Sequence, residues 1–229
     1  MIPSVSAIVP VYNEKQAIGP AVEAIDRFLR ATFAGYEILL IESGSTDGTA
    51  DECDRIASTH PRVVVIHEGA RRGFGSALKV GFRQASKDLL WVVTVDLPFP
   101  LESMSAALRL LDRYDCVLSY RSADPRSLRR RVQSAIYHTL VRRVLRLPMR
   151  HVNSAFKVLK REIAASVTPR ADGWFFDAEL VYRIHQQGVS WTEIPVPLLD
   201  RQTGRGSVGP WTFFSVLREL LAFVIAERG

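Results

Sequence analysis

The chain has 229 residues, of which 47% are hydrophobic, and its formal net charge is +6. This composition excludes a disordered chain, and the length suits one α/β domain with a single core. No stretch reaches the roughly 20 uninterrupted apolar residues that a membrane-spanning helix needs, so we expect a soluble or peripheral protein. The opening residues MIPSVSAIVP lack a basic segment followed by a long apolar run, which predicts an immediate first strand and no signal peptide.

Up to about residue 120, apolar runs alternate with segments of helical spacing. The pattern predicts strands at 5–11, 36–41, 63–67, 89–95 and 116–120 and helices at 15–31, 47–58 and 75–85. Asp47 is the predicted N-cap of the second helix. Such a βαβ repeat favours a mostly parallel central sheet with helices on both faces, whose ligands bind at the carboxyl ends of the strands. Cys53 and Cys116 fall in a predicted helix and strand; buried thiols are the simpler interpretation, with a disulfide left open.

Beyond residue 120 the alternation stops. The sequence predicts a basic helix over about 126–147, a strand within 152–160, a helix at 174–187, a strand at 191–196 and a last helix at 211–227. The last helix is apolar nearly all round and therefore requires burial against a partner or in lipid. We expect one domain over residues 1–229 with a modified C-terminal third.

The positive charge is concentrated in residues 121–150, which contain nine arginines and one acid and so carry +8. A local basic block indicates an anionic partner at one place. On a helix, an apolar stripe runs between two arginine clusters and consists of Ile136, Leu140, Val144 and Leu147. This suits an anionic membrane surface, and a helix packed on the core with a solvated charged face fits equally well. Nucleic acid is disfavoured, since the block has a single base-stacking aromatic, Tyr137.

Short polar motifs stand at the predicted strand ends. VPVYNE (9–14) offers an aromatic ring and a carboxylate for a base and its ribose, and ESGSTDGT (42–49) offers acceptors and backbone amides near a helix N-terminus. The glycine-rich segment 68–77 lets the backbone approach a phosphate, and Asp96 is a candidate ligand for a cation that bridges a diphosphate. Each motif alone also fits an ordinary turn or cap. The four in this order favour a nucleotide site.

Taken together, VPVYNE, GSTDGT, RRGFGSALKVGF and VDLPFP resemble the family 2 glycosyltransferases of the GT-A fold. The resemblance is to the polyprenyl-phosphate branch, the dolichyl-phosphate mannosyl- and glucosyltransferases. It continues through NSAFK, GWFFDAEL and EIPV with the following R-x-x-G-x-G-S, and so covers about residues 5–208. It implies a Rossmann-like α/β fold with C-terminal amphipathic helices, in which 1–120 is the nucleotide-sugar-binding half and 121–229 the acceptor and membrane-interface part.

The activity that the resemblance implies is inverting hexosyl transfer from a nucleotide diphosphate sugar to a polyprenyl phosphate. The expected location is peripheral, on the cytoplasmic face of a membrane, with Mg²⁺ or Mn²⁺ as the cofactor. An integral-membrane partner or self-association is a further expectation, and nucleic acid is not an expected partner. Because an acceptor phosphate is itself a competent nucleophile at neutral pH, a strong general base is less necessary than for an alcohol.

Matched motif positions imply roles for individual residues. Expected catalytic residues are Asp96, which also binds the metal, Asp177, Glu179 and Arg201. Expected nucleotide-sugar-binding residues are Pro10, Tyr12, Glu14, Glu42, Ser45, Arg71, Gly73 and Gly75. Expected acceptor-phosphate ligands are Arg121, Arg201 and Ser207.

Three positions depart from the family pattern. Ser43 replaces the second acid before G-S-T-D-G, Thr94 the first acid of D-x-D, and Pro98 the usual Gln or His. Fewer carboxylates weaken cation binding. Either the donor phosphates supply most metal ligands, or the chain is a weakened or non-catalytic homologue that acts as a binding protein. A glycosyltransferase with a soluble acceptor is the other alternative.

Overall fold

A computed structural model describes residues 2–154, 156–199 and 210–228, with the side chains of the last segment described over 216–227. Its strands are β1 (Val5–Val11), β2 (Tyr36–Glu42), β3 (Val63–His67), β4 (Leu89–Val92), β5 (Cys116–Arg121), β6 (Lys157–Lys160) and β7 (Trp191–Val196). Its helices are α1 (Ile18–Thr32), α2 (Thr49–Thr59), α3 (Phe74–Gln84), α4 (Ser103–Leu108), α5 (Leu128–Leu145), α6 (Arg161–Ser166), α7 (Phe176–Gln186) and α8 (Pro210–Arg228). The short helices α4 and α6 are additions to the predicted elements.

The strands form one seven-stranded sheet in the order β3-β2-β1-β4-β6-β5-β7. β6 pairs antiparallel with β4 and β5, whereas the other neighbouring strands pair parallel. The predicted mostly parallel sheet is therefore confirmed. Because β6 is reversed, it begins at the edge of the sheet where the other strands end.

Helices cover both faces of this sheet, and the strand side chains divide accordingly. Val5, Ala7 and Val9 of β1 join the core cluster on the α1 face, whereas Ile8 joins the cluster that contains α3 and α7 side chains. A parallel strand covered on both faces is apolar in consecutive positions, as the sequence of β1 is. Cys53 and Cys116 are buried free thiols, which confirms the simpler interpretation. Burial raises the pKa of the Cys53 thiol to about 12.

Two predicted boundaries are wrong for local reasons. β4 ends at Val92 and not at residue 95, because residues 94–97 form a turn in which the Leu97 amide donates to the Thr94 carbonyl at 3.0 Å. The N-cap of α2 is Gly48, with a left-handed φ of 87°, and not Asp47. Asp47 still acts one residue earlier, since its Oδ1 accepts a hydrogen bond from the Thr49 amide at 3.0 Å.

The predicted apolar stripe of the basic helix is only partly correct. Along α5 the buried side chains are His138, Val141 and Leu145, and Ile136 is 54% exposed. Leu147 is buried but lies beyond the helix, which ends where Arg146 adopts a left-handed φ of 53°. The C-terminal half of α5 thus packs on the core while its N-terminal half projects outward. Over the described residues no helix combines the length and apolarity needed to cross a bilayer.

Replacing Gly81 by Ala should destabilise the protein, although Ala is the better helix former. A Cβ at Gly81 on α3 would lie 2.3 Å from Cγ2 of Ile8 on β1, so the helix must move away from the sheet. Overpacking of this kind costs about 1–3 kcal/mol, and we expect a loss in this range in urea unfolding.

The matched control is Gly19→Ala in α1, where the nearest heavy atom to the new Cβ is Glu52 Oε1 at 3.7 Å. That variant should be as stable as the wild type or more so, because Ala replaces Gly without a clash. Equal unfolding free energies for the Gly81 variant and the wild type would contradict the predicted contact.

Candidate functional site

Polar residues collect at the edge where the parallel strands end. Tyr12 follows β1, Glu42 ends β2, Asp96 follows β4 and Arg121 ends β5. The reversed β6 contributes its first residue, Lys157, which pairs in register with Val92 at the end of β4. The topology therefore brings residues predicted to bind the donor and a residue predicted to bind the acceptor to one edge of the sheet. Arg201 and Ser207 lie outside the described residues.

The loops after β1 and β2 are joined by hydrogen bonds. The Asn13 amide donates to Ser45 Oγ at 3.0 Å, and the Thr46 amide donates to Asn13 Oδ1 at 2.8 Å. The Glu14 amide donates to Thr49 Oγ1 at 2.9 Å. These bonds hold the VPVYNE and GSTDGT motifs together as one rim, in which Ser45 has a structural role without any ligand, whereas Glu14 contributes its backbone amide.

Glu42 is a buried carboxylate within this rim. It accepts a hydrogen bond from the Ser45 amide at 2.6 Å, and His67 Nδ1 lies 3.2 Å from its other oxygen. Burial opposes ionisation, yet the hydrogen bonds from Ser45 and His67 lower the pKa of Glu42 below its ordinary value. The group is therefore an anion that can accept hydrogen bonds from a base or ribose.

Glu68, which the sequence analysis did not select, lies beside the departure at position 43. Its carboxylate accepts hydrogen bonds from Ser43 Oγ and from Ser76 Oγ, each at 2.6 Å. Ser43 thus holds an acid supplied by the end of β3 instead of supplying one itself. The available sign of this role was the position of Glu68 directly after a predicted strand.

The face of the Tyr12 ring is covered by Arg71, whose Cζ lies 4.3 Å from the ring centroid. Such a cation–π contact contributes about 0.5–1 kcal/mol at an exposed site. Gly44 lets the loop after β2 approach the loop after β3, because a Cβ at Gly44 would lie 2.8 Å from Ala70 Cα. The φ of Gly44 is 67°, which also favours glycine. Pro10 stands within β1, in register with Ile41 of β2. Tyr12, Arg71 and the Glu42 rim therefore belong to one surface.

Gly73 and Gly75 lie where α3 meets the start of α7. A Cβ at Gly73 would lie 2.3 Å from the Asp172 carbonyl oxygen, and one at Gly75 would lie 2.7 Å from Phe176 Cβ. Close packing thus accounts for both glycines, and their contact with a phosphate stays a prediction.

Asp96 lies in the turn after β4 and is half-buried. Thr94 Oγ1 donates to Asp96 Oδ1 at 2.6 Å. Within the described ranges, three or more His, Cys, Asp or Glu side chains are nowhere grouped to hold a metal ion. Mg²⁺ is commonly bound through one or two carboxylates together with substrate phosphates. Asp96, as a single carboxylate at this place among the described residues, fits a cation that takes most of its ligands from a diphosphate.

Arg121 presents a largely buried guanidinium at the end of β5. Its Nη1 donates to Ser134 Oγ at 2.9 Å, and its Nε has no hydrogen-bond partner among the described residues. Burial and the charge of Arg126 lower the pKa of Arg121 to about 10, so it stays cationic at neutral pH. It lines a small pocket together with His151 and Asn153.

Asp177 and Glu179, at the start of α7, are both buried and paired. Lys157 Nζ, itself 1% exposed, lies 3.2 Å from Asp177 Oδ1, and burial raises the pKa of Asp177. Glu179 accepts hydrogen bonds from the Ala171 amide at 2.8 Å and from Arg183 at 2.8 and 2.6 Å. Both acids hold α7 in place, and a direct catalytic role for either stays a prediction. Lys157 was overlooked, although a lysine inside an otherwise apolar strand indicates a buried partner.

The fold defines a class of protein. Glucosyl-3-phosphoglycerate synthase from Mycobacterium tuberculosis, solved with Mn²⁺, UDP and phosphoglyceric acid, superposes with a TM-score of 0.75 at 17% identity, over 99% of this chain and 79% of that one. Mannosyltransferase PcManGT from Pyrobaculum calidifontis, solved with GDP-Man and Mn²⁺, superposes with a TM-score of 0.63 at 22% identity, over 98% of this chain and 70% of that one. The predicted GT-A fold is confirmed.

The family model for "Glycosyl transferase family 2" matches residues 6–168, and the chain belongs to that family. Glycosyltransferase AglD of Haloferax volcanii is 30% identical over 205 residues, which are 84% of this chain and 32% of that protein. Undecaprenyl-phosphate 4-deoxy-4-formamido-L-arabinose transferase of Yersinia enterocolitica is 28% identical over 169 residues, 72% and 51% respectively. The chain therefore spans between a third and about half the length of these relatives.

Replacing Lys157 by Met should destabilise the protein strongly, because Asp177 would then be buried without its counter-charge. Removing one partner of a buried ion pair costs about 3–5 kcal/mol. Urea unfolding should show a loss of this size, and the double variant Lys157→Met/Asp177→Leu should recover most of it.

The control for this pair is Arg55→Met, which removes an exposed ion pair with Glu52 on α2. It should leave the unfolding free energy nearly unchanged, since exposed pairs contribute little. If the double variant were no more stable than Lys157→Met alone, the pairing of these two side chains would be refuted.

Proposed function

We propose that this protein transfers a hexose from a nucleotide diphosphate sugar to a polyprenyl phosphate. The observation that carries the proposal is Arg121, a largely buried cation at the strand-end edge whose Nε–H has no partner among the described residues. A largely buried guanidinium that forms no ion pair with the described residues suits a phosphate at this place, which it can bind through charge-assisted hydrogen bonds. The Yersinia relative is an undecaprenyl-phosphate 4-deoxy-4-formamido-L-arabinose transferase, which supports the same class of acceptor.

On the donor side, the nucleoside would bind across the rim formed by Tyr12, Glu42 and Ser45. The ring of Tyr12 offers a stacking face once Arg71 turns towards the diphosphate, and Arg71 then neutralises part of the charge of that group. The ionised Glu42 would accept a hydrogen bond from the base or the ribose.

Asp96 would hold a Mg²⁺ or Mn²⁺ ion, with the remaining ligands taken from the diphosphate and water. When bound, such an ion supplies charge stabilisation to the departing diphosphate. The Thr94 hydroxyl orients the Asp96 carboxylate through its 2.6 Å hydrogen bond. Two similar solved structures contain Mn²⁺, which supports a divalent cation as the cofactor.

The acceptor phosphate would bind at Arg121, with Arg201 and Ser207 as further predicted ligands. One of its oxygens attacks the anomeric carbon from the side opposite the diphosphate. A bond from this carbon to the acceptor oxygen forms while its bond to the diphosphate oxygen breaks, which inverts the configuration. The attacking oxygen carries no proton at neutral pH, so no side chain has to act as a strong base. Asp177 and Glu179 would serve by positioning α7 beside α3.

The location that we propose is the cytoplasmic face of a membrane, with the N-terminal half of α5 as the contact. Leu128, Val132 and Ile136 are spaced four residues apart and are 72%, 49% and 54% exposed. Arg129, Arg130 and Arg131 beside them are also exposed. Exposed apolar side chains four apart, flanked by arginines, suit the interface of an anionic bilayer.

A transfer assay with two variants tests the proposed reaction. Labelled UDP- and GDP-hexoses are incubated with undecaprenyl phosphate in vesicles and Mn²⁺, and the glycolipid is separated by chromatography. We expect Arg121→Gln to raise the acceptor KM at least about tenfold, the effect of one lost charge-assisted hydrogen bond, with the donor KM unchanged. Asp96→Asn should instead raise the donor KM, and only when Mn²⁺ is present, while it leaves the acceptor KM unchanged.

The control for this assay is Asp112→Asn, an exposed acid after α4, which should leave both constants unchanged. Transfer to a soluble hydroxyl acceptor but not to the lipid phosphate would favour the soluble-acceptor alternative. Donor binding without turnover on any acceptor would favour a non-catalytic binding protein.

Vesicle flotation tests the membrane contact. The double variant Val132→Ser/Ile136→Ser should bind vesicles containing anionic lipid at least about tenfold more weakly than the wild type, because two apolar side chains no longer enter the interface. High salt should weaken binding of the wild type, since the arginines act through screened charge.

The matched control is Ile2→Ser/Val64→Ser, a pair of similar exposure (59% and 45%) outside α5. It should float like the wild type. Equal losses in both double variants would show that α5 is not the contact.

A further inference from the structure

A chain of hydrogen bonds beside Arg121 has no role in the reaction described so far. The Val152 amide donates to His138 Nδ1 at 3.3 Å, and His138 Nε2 lies 3.1 Å from Ser134 Oγ. The same Ser134 oxygen accepts the bond from Arg121 Nη1 at 2.9 Å. His138 is 6% exposed, so this chain is protected from water at its inner end.

The directions of these bonds follow from the backbone donor. Because the Val152 amide donates to Nδ1, that nitrogen must present a lone pair, and a neutral imidazole then carries its proton on Nε2. The ring is neutral, since burial and the stacked His151 ring lower the pKa of His138 to about 3. The Nε2–H group therefore donates to Ser134 Oγ.

This arrangement decides what Ser134 can offer to a ligand. Its oxygen accepts two hydrogen bonds, one from His138 and one from Arg121, which uses both of its lone pairs. Its own proton points away from both and has no acceptor among the described residues. Beside it, the Arg121 Nε–H is also without a partner in the described part of the chain. The Ser134 O–H and the Arg121 Nε–H are thus two neighbouring donors, and the pocket that Arg121 lines also contains an acceptor, Asn153 Oδ1.

We propose that His138 is a positioning residue for the acceptor: by donating to Ser134 it fixes the Ser134 hydroxyl as a hydrogen-bond donor towards the phosphate bound at Arg121. The proposal rests on the acceptor site proposed above. If His138 instead accepted a bond from Ser134, a hydroxyl lone pair would face the phosphate and repel it.

Two substitutions of His138 separate positioning from a structural role. His138→Gln retains an N–H donor that can reach Ser134, whereas His138→Asn retains an oxygen that can accept from the Val152 amide but lacks a donor near Ser134. With undecaprenyl phosphate in vesicles, we expect Gln to keep the acceptor KM within about threefold and Asn to raise it about tenfold, as expected for one hydrogen bond to a charged group. The donor KM should not change in either variant.

The double variant His138→Asn/Ser134→Ala sharpens the test. If His138 acts through Ser134, the acceptor KM of the double variant should equal that of Ser134→Ala alone. A KM raised by the product of the two single-variant factors would overturn the proposal. Equal KM values for the Gln and Asn variants would overturn it as well. Should neither His138 variant fold, Ser134→Thr and Ser134→Ala decide: Thr should keep the KM and Ala should raise it, and equal values contradict the proposal.

Two controls distinguish this inference from the proposed function. His185→Asn alters an exposed histidine on α7 and should leave the acceptor KM unchanged. If Arg121→Gln leaves the acceptor KM unchanged, the phosphate site itself is wrong. If Arg121→Gln raises this KM and His138→Asn does not, the positioning role of His138 alone fails.

Discussion

The reversed direction of β6 is the constraint on which the site depends. β6 lies between β4 and β5 and is antiparallel to both, so its first residue enters the sheet where its neighbours end. That residue is Lys157, covered on all sides, and an ammonium group buried there needs a counter-charge. Asp177 supplies it from the start of α7. One ion pair therefore ties the middle of the sheet to the helix that packs on the N-terminus of α3.

Two of the departures from the family pattern, at positions 43 and 94, differ in their physical consequence. At position 43 the missing acid is offset, because Ser43 and Ser76 hold the carboxylate of Glu68 nearby. At position 94 it is not offset, because the Thr94 hydroxyl donates to Asp96 and adds no charge. Among the described residues, the proposed nucleoside end of the site thus keeps its acidic character, while the proposed cation end has the carboxylate of Asp96 alone. Weak metal affinity in the absence of donor is the expected consequence for the proposed site.

The local sequence pattern was sufficient to predict the mostly parallel sheet and the edge of the sheet at which the candidate site lies. The reason is that the apolar strands and the polar residues after them are contiguous in sequence. The start of α2 and the end of α5 were predicted wrongly, because each is set by one residue with a positive φ, Gly48 and Arg146 respectively. The apolar stripe of α5 was predicted only in part, because the half of this helix that packs on the core is decided by elements far along the chain. Ser134 and His138 were missed for the same reason, because their bonds to Arg121 and to the Val152 amide join separate elements, whereas the position of Glu68 directly after a predicted strand was an available sign.

The acceptor side shows why a basic site can remain cationic within a fold. Asp124, the one acid in residues 121–150, is engaged by Arg126, at 2.8 and 2.6 Å. Arg121 has Ser134 and two neutral histidines beside it, and Asp124 acts on it only at longer range, since among the described residues no carboxylate forms an ion pair with Arg121. A largely buried guanidinium bonded to neutral groups keeps most of its desolvation cost. An anion bound beside Arg121 would lower this cost, which is the electrostatic reason to propose a phosphate ligand at this place.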